Sequence, residues 1–356
     1  MVEVTASLER QIHKRRALLC ALVAALCALM LLALSIGATP FTPAEVLAVF
    51  LRRLGFNSLA VEEQREQVLF AIRLPRVLFG AMIGAGLATS GAIMQGLFRN
   101  PLADPGLVGV SSGAALGAVT MIVLGGPRYL LGHSILLPLV PGAAFAGGLV
   151  VTLFVLRFAR SAGKTDTATM LLAGIAINAL VGAFIGYLTY IATDVQLRDI
   201  AFWSLGSLSG ATWATLLVTA PFILLAVLSS LQLAGALNAM LLGEAEAGHL
   251  GVATEKVKRR AVISVALAVG AGVAFAGTIG FIGLVTPHLL RLIIGPDHRY
   301  LLPSAALLGA CLMLAADAIA RSAAAPAELP IGIVTASLGA PFFLWLLARR
   351  RRGLSV

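Results

Sequence analysis

Runs of about twenty uncharged, apolar residues recur along the whole chain, and a run of that length crosses a ~30 Å hydrocarbon layer as a helix. Such a layer offers no water to unpaired backbone groups, so a spanning segment must be a helix or a strand in a closed barrel. The runs are rich in Gly and Ala and lack the period-two alternation of barrel strands. The sequence therefore predicts an all-α polytopic membrane protein, with spans near 17–36, 74–95, 107–124, 138–157, 168–191, 212–232, 261–278, 281–295, 302–320 and 329–348, about ten in number. Composition agrees: 59% of residues are hydrophobic and only 12% charged, against about a quarter charged in soluble domains. The whole of 1–356 is read as one transmembrane domain.

Basic residues set the orientation. With the N-terminus inside, alternate loops place Arg10, Lys14, Arg15, Arg16, Arg99, Arg157, Arg160, Lys164, Lys256, Lys258, Arg259, Arg260, Arg291, Arg299 and Arg349 to Arg352 in the cytoplasm. That is about eighteen of the 26 Lys and Arg, as the positive-inside rule requires. Both termini are then cytoplasmic, the basic segment 1–16 and the basic tail 349–356 included. The net charge of +10 is spread over span ends, without the interleaved aromatics of a nucleic-acid surface, and no nucleic-acid partner is expected. The first run follows RQIHKRR, but it is longer than a signal-peptide core and no small-residue cleavage site follows, so it is read as a retained span.

The longest cytoplasmic loop carries LLGEAEAGHLGVATEKVKRR, residues 241–260, an island of charge in an oily chain. Lys256 to Arg260 suit an anchor for the following span. Residues 241–251 do not: Glu244 and Glu246 favour a helix start, Gly251 a helix end, and Leu241, Leu242, Ala245, Ala247 and Leu250 an apolar face. A short amphipathic helix too brief to span is a docking element or an interfacial anchor.

Chemistry of its own is not signalled. The GKT at Gly163 to Thr165 lacks the glycine that a phosphate loop needs five positions earlier, where Phe158 stands. The histidines at 13, 133, 249, 288 and 298 lie in separate segments without metal-site spacing. Cys20, Cys27 and Cys311 fall in apolar runs and form no disulfide framework. No catalytic or metal-binding residue is therefore assigned, and no cofactor is expected on this chain. A membrane-embedded enzyme lacks the clustered nucleophiles or carboxylates it would require. Asp317 and Arg321, spaced to pair on one helical face at the end of a span, are the clear intramembrane charges. A proton relay would need carboxylates at mid-depth, whereas sodium could bind backbone carbonyls, so an ion-coupled secondary transporter stays open.

Two patterns concern packing. Gly80 with Gly84, Gly113 with Gly117, and Gly182 with Gly186 have the small-xxx-small spacing that lets helices approach closely. RNPLADPGLVGVSSGAALGA, Arg99 to Ala118, implies irregular backbone near the membrane, tolerated where protein or a water-filled cavity covers it.

RLPR at Arg73 to Arg76, GLFRNPLADPGLVGVSSGA, LRDIAFWSLGSL, LGEAEAGHLGV, GTIGFIGLVTPHLLRLIIGPDHRYLLP and AELPIGIVTASLGAPFFLWLL together resemble the FecCD family, the permease subunits of bacterial ABC importers for iron-siderophores, haem and vitamin B12. The resemblance covers nearly all of the chain from Arg73. It implies the type II importer permease fold of ten spans and a homodimer in the inner membrane. It also implies two cytoplasmic ATPase subunits that hold ATP and Mg, and a periplasmic binding protein. Residues 241–251 would be the coupling helix in a groove of the ATPase, with Leu242, Gly243, Glu244, Ala245, Glu246, His249, Leu250 and Gly251 at the contact. Arg73, Arg76 and Arg321 match positions that receive acidic residues of the binding protein. The pathway would run along the dimer seam beside span five, with Thr167 and Ala168 at its inner gate and Arg198 near its outer mouth, where a guanidinium could meet substrate carboxylates. The motifs look most like haem permeases, with a ferric siderophore or vitamin B12 as alternative cargo.

Overall fold

A computed structural model describes residues 2–37, 41–56, 62–125, 129–130, 133–134, 136–161, 164–324 and 326–352. Gly163 of the GKT triplet, Met1 and tail residues 353–356 lie outside these. The helices are α1 (Val2–Ser35), α2 (Pro43–Arg53), α3 (Glu63–Val68), α4 (Leu74–Leu97), α5 (Val110–Leu124), α6 (Leu136–Phe158), α7 (Thr167–Ile191), α8 (Asp194–Leu205), α9 (Trp213–Gln232), α10 (Ala234–Leu242), α11 (Glu244–His249), α12 (Thr254–Ala276), α13 (Ile282–Ile294), α14 (His298–Ser322) and α15 (Ile331–Arg352).

Every apolar run of the sequence coincides with one helix: α1, α4, α5, α6, α7, α9, α12, α13, α14 and α15. Among the described residues, seven of these are long and apolar enough to cross a membrane alone, and α5, α13 and the apolar part of α15 are shorter. A shorter helix spans when irregular backbone beside it is covered by protein. α5 shows how: Asp104 caps a tight turn at Pro105–Val108, Gly109 takes a left-handed φ of 80°, and α5 starts at the next residue.

α4 is the centre. It packs on α14, α13, α12 and α9, and 78% of its apolar window is buried. Small residues set the distances: a Cβ on Gly84 would strike the backbone of Gly309 and stand 2.6 Å from the Cβ of Met313, and a Cβ on Gly91 would overlap the Gly283 carbonyl. On α5, Gly113 meets Gly147 and Val151 of α6, and Gly117 meets Ala143. In lipid, where burying apolar surface gains little, such close backbone contact is what holds helices together. The third glycine pair differs: a Cβ on Gly182 or Gly186 would meet no neighbouring helix within 4 Å, and both sit on an open face of α7.

The short helices α2, α3, α8 and α10 were not anticipated. α2 and α8 begin at reciprocal capping boxes, Thr42 with Glu45 and Thr193 with Gln196, which satisfy backbone N–H groups at both helix starts. A further departure falls in 241–251, expected as one amphipathic helix. The chain instead breaks at Gly243, whose φ of 133° favours glycine, so Leu242 ends α10 and Glu244 starts α11.

Candidate functional site

α14, 25 residues long, runs from His298, whose backbone N–H donates to Asn238 of α10 at 2.8 Å, past Arg321 in its last turn about 35 Å away. The bundle thus has an α10–α11 end and an opposite end, and the sequence-selected residues divide between them.

At the first end, α11 presents an outward face. Leu242 and Leu250 are 67% and 65% exposed, and Ala245, Glu246 and His249 are exposed with them, while Ala247 is fully buried. Gly251, at a φ of 81°, turns the chain toward α12. Glu244 points inward instead, to the ammonium of Lys258. Lys258 itself is 0% exposed. It also donates to the Thr165 carbonyl and, at 2.8 Å, to Glu255. The second oxygen of Glu255 accepts the Thr165 N–H at 2.9 Å. In sequence Lys258 is one cation in a basic run; the Glu255–Lys258 spacing on one face was the available signal for this cluster.

Thr165 ends a small hairpin, Arg160–Ser161 paired with Lys164–Thr165, that leads into α7. Asp166 caps α7 by accepting from the Thr169 N–H at 2.8 Å. Those Thr169 hydrogen bonds hold the exposed Asp166 carboxyl below its ordinary pKa. Thr167 is half-buried and Ala168 exposed at the start of α7. The helix packs through Gly174 on Leu107 and through Asn178, which donates to Gly106 at 3.1 Å and accepts from Ser112 at 2.5 Å. Its other side, with Leu172, Ile175, Leu180, Phe184, Tyr187 and Tyr190, is open. Arg198 is exposed on α8, beyond the far end of α7.

At the opposite end the three selected arginines converge on two carboxylates and on the last turn of α1. Arg73 is only 6% exposed. It donates to the carbonyls of Leu34 and Ser35 at 2.6 and 3.0 Å and stacks over the Phe41 ring. Arg321 donates to the carbonyls of Ala33 and Ile36 at 3.1 and 2.8 Å. These carbonyls have no partner inside the helix, and the negative pole of the α1 dipole favours cations there. Arg76 grips Asp317 at 2.9 Å and Glu328 at 2.8 Å. The Asp317–Arg321 pair read from the sequence is present at 3.0 Å, close enough for an ion pair though not aligned as a hydrogen bond. Glu328 is the member that sequence reasoning missed.

A model described as the FecCD transport family matches residues 25–349. The chain is 51% identical over 282 residues to the hemin transport system permease protein HmuU of Yersinia pestis, covering 79% of this chain and 83% of the relative. It is 44% identical over 293 residues to the vitamin B12 import system permease protein BtuC of Escherichia coli O9:H4, covering 81% and 85%. Identity to the cobalamin import system permease protein BtuC of Halobacterium salinarum is 43% over 290 residues, covering 82% and 76%. A solved metal-chelate type ABC transporter in an inward-facing conformation superposes with a TM-score of 0.81 at 33% identity, covering 94% of this chain and 99% of that one.

Proposed function

Since the chain belongs to the FecCD transport family and is a multi-pass permease subunit of an ABC importer, not an enzyme, we propose that its cargo is haem. The observation that carries the cargo is the 51% identity to a hemin permease, against 44% and 43% to the vitamin B12 and cobalamin permeases. Two copies of the chain form the pathway in the bacterial inner membrane with both termini cytoplasmic. Two ATPase subunits, which hold ATP and Mg, bind the α11 end, and a periplasmic binding protein delivers haem at the other.

Alternating access follows from differential binding. The ATPase pair prefers one permease state when closed on ATP and another when open, so hydrolysis shifts the population between them. The face formed by Leu242, Ala245, Glu246, His249 and Leu250 is the contact: two exposed leucines rimmed by a carboxylate and an imidazole suit a groove of a soluble partner. The open face of α7, with Gly182 and Gly186, suits the seam between copies, and Thr167 with Ala168 stands at its inner entry. Arg198 stands at the outer entry, where its planar fork would receive a haem propionate.

Docking of the binding protein falls at the Arg76–Asp317–Arg321–Glu328 cluster. Arg73, Arg76 and Arg321 outnumber its two carboxylates, so the cluster is locally positive and attracts an acidic surface. Arg73 contributes through its charge and through the seating of α1, since its donors are already held by backbone.

The test is uptake into proteoliposomes holding the permease, its ATPase and its binding protein, with haem, a ferric siderophore and vitamin B12 offered separately. ATP-dependent uptake of haem alone is expected. Transport of vitamin B12 or the siderophore in its place refutes the cargo assignment, and uptake by the permease alone on an ion gradient refutes the ABC reading.

A further inference from the structure

Lys256, Arg259 and Arg260 are exposed, as befits a basic run at a membrane end, but Lys258 between them is sealed from solvent. An ammonium has three donors and no acceptor, and it leaves water only where three acceptors replace its hydration. Lys258 finds all three: Glu244, Glu255 and the Thr165 carbonyl. Each lies on a different segment, respectively α11, the first turn of α12, and the hairpin whose next residues are Asp166 and Thr167. Glu255 closes the ring by accepting the Thr165 N–H.

We propose that Lys258 is a positioning residue that joins α11 to the hairpin ahead of α7, so that displacement of the coupling helix is delivered to Thr167 and Ala168. The proposal rests on the reading of α11 as the ATPase contact. α11 packs on α10 and α12, and the second hairpin strand packs on α12, so the lysine sits where both join one helix. A solvated side chain would follow α11 loosely. A buried ion pair with its hydrogen bonds complete has one favoured arrangement, and separating its members exposes an uncompensated charge, so the three segments move together.

The test uses the assembled transporter in proteoliposomes, with haem uptake and ATP hydrolysis read in the same vesicles. Lys258→Met is expected to keep ATP hydrolysis while uptake per ATP falls by about tenfold, within the usual range of coupling between sites. Lys258→Arg restores part of it, because the cation is retained in a different shape. Glu244→Gln, altered at a 41% exposed carboxylate that tolerates substitution, lowers uptake per ATP and decides the matter should Lys258→Met fail to assemble. Wild-type uptake per ATP in Glu244→Gln together with Lys258→Arg or Lys258→Met overturns the proposal. A second measurement separates it from the ABC reading: spin labels at Lys164 and Gly248, with the three cysteines replaced, are expected to give one narrow distance with and without ATP, broadened by Lys258→Met. A broad distribution in the otherwise unaltered chain overturns the proposal even where transport is ATP-driven. A narrow one that Lys258→Met broadens sustains the tie even where uptake proves independent of ATP.

Discussion

Replacing Arg73 by Met separates anchoring of α1 from docking of a binding protein. The guanidinium makes two charge-assisted hydrogen bonds to backbone carbonyls at 2.6 and 3.0 Å and is 6% exposed. Hydrogen bonds to charged groups contribute about 1.5–3 kcal/mol each, and because water can rehydrate carbonyls at this end of the bundle the lower figure applies, about 3 kcal/mol in total. For a chain of this size that lowers the melting temperature by roughly 6 °C, at about 2 °C per kcal/mol. Methionine keeps most of the apolar stem and loses only the guanidinium, its stacking over Phe41 included, so the loss reports that group and not the packing of the stem. Arg73→Lys keeps the charge for an acidic partner but loses the planar guanidinium whose Nη1 reaches both carbonyls, and should melt between the two. The assay is thermal unfolding in detergent beside titration of the purified binding protein. An unchanged melting temperature with a weakened titration would refute the anchoring argument.

Asp317→Ala removes the buried carboxylate shared by Arg76 and Arg321 but leaves Arg76 on Glu328 and Arg321 on the α1 carbonyls, so unfolding should show a loss of about 3 kcal/mol, the low end for a broken buried pair, part of which Arg76→Met in the same chain recovers. Gly84→Leu forces α4 off Gly309 and Met313, with a cost of about 1–3 kcal/mol or more, whereas Gly182→Leu leaves the melting of the single chain unchanged and lowers the dimer fraction in cross-linking. Burial raises the pKa of Asp104, whose carboxylate accepts the Gly106 N–H at 2.7 Å. A raised folded pKa gives stability present below the ordinary carboxylate value and lost as pH rises through the folded value. Asp104→Asn keeps an acceptor and removes that loss, so the melting temperature of the variant should gain on the wild type between pH 4 and pH 7, and a parallel pH profile in the two would contradict the assignment.

The spans were legible because lipid imposes one simple demand on the sequence, and the positive-inside count followed from loop charge alone. What escaped has a physical reason in each case. The breaks at Gly243 and Gly109 depend on single left-handed or extended glycines, which composition does not distinguish from packing glycines such as Gly84. α2 and α8 announced themselves in the spacings TPAE and TDVQ, but short helices carry too little apolar periodicity to be seen without their caps. Lys258 looks like its neighbours in a basic run, and its burial arises from Glu255 one turn earlier together with a carboxylate and a carbonyl on two other segments. The arginines at 73 and 321 are absent from the cytoplasmic set that the charge rule selects, yet the carbonyls they hold belong to α1, more than thirty residues away in one case and roughly 290 in the other.

That last distance bears on how the molecule is made. α1 is fastened at one end by Arg15, which reaches Ile294 and Asp297 across 279 and 282 positions, and at the other by Arg321 across 285 and 288. A ribosome delivers this helix first, its Arg73 clasp soon after, and the other two almost last. For most of synthesis α1 must therefore wait in the bilayer fastened at one end alone, and a chain stopped short of α13 would leave the Arg15 end adrift.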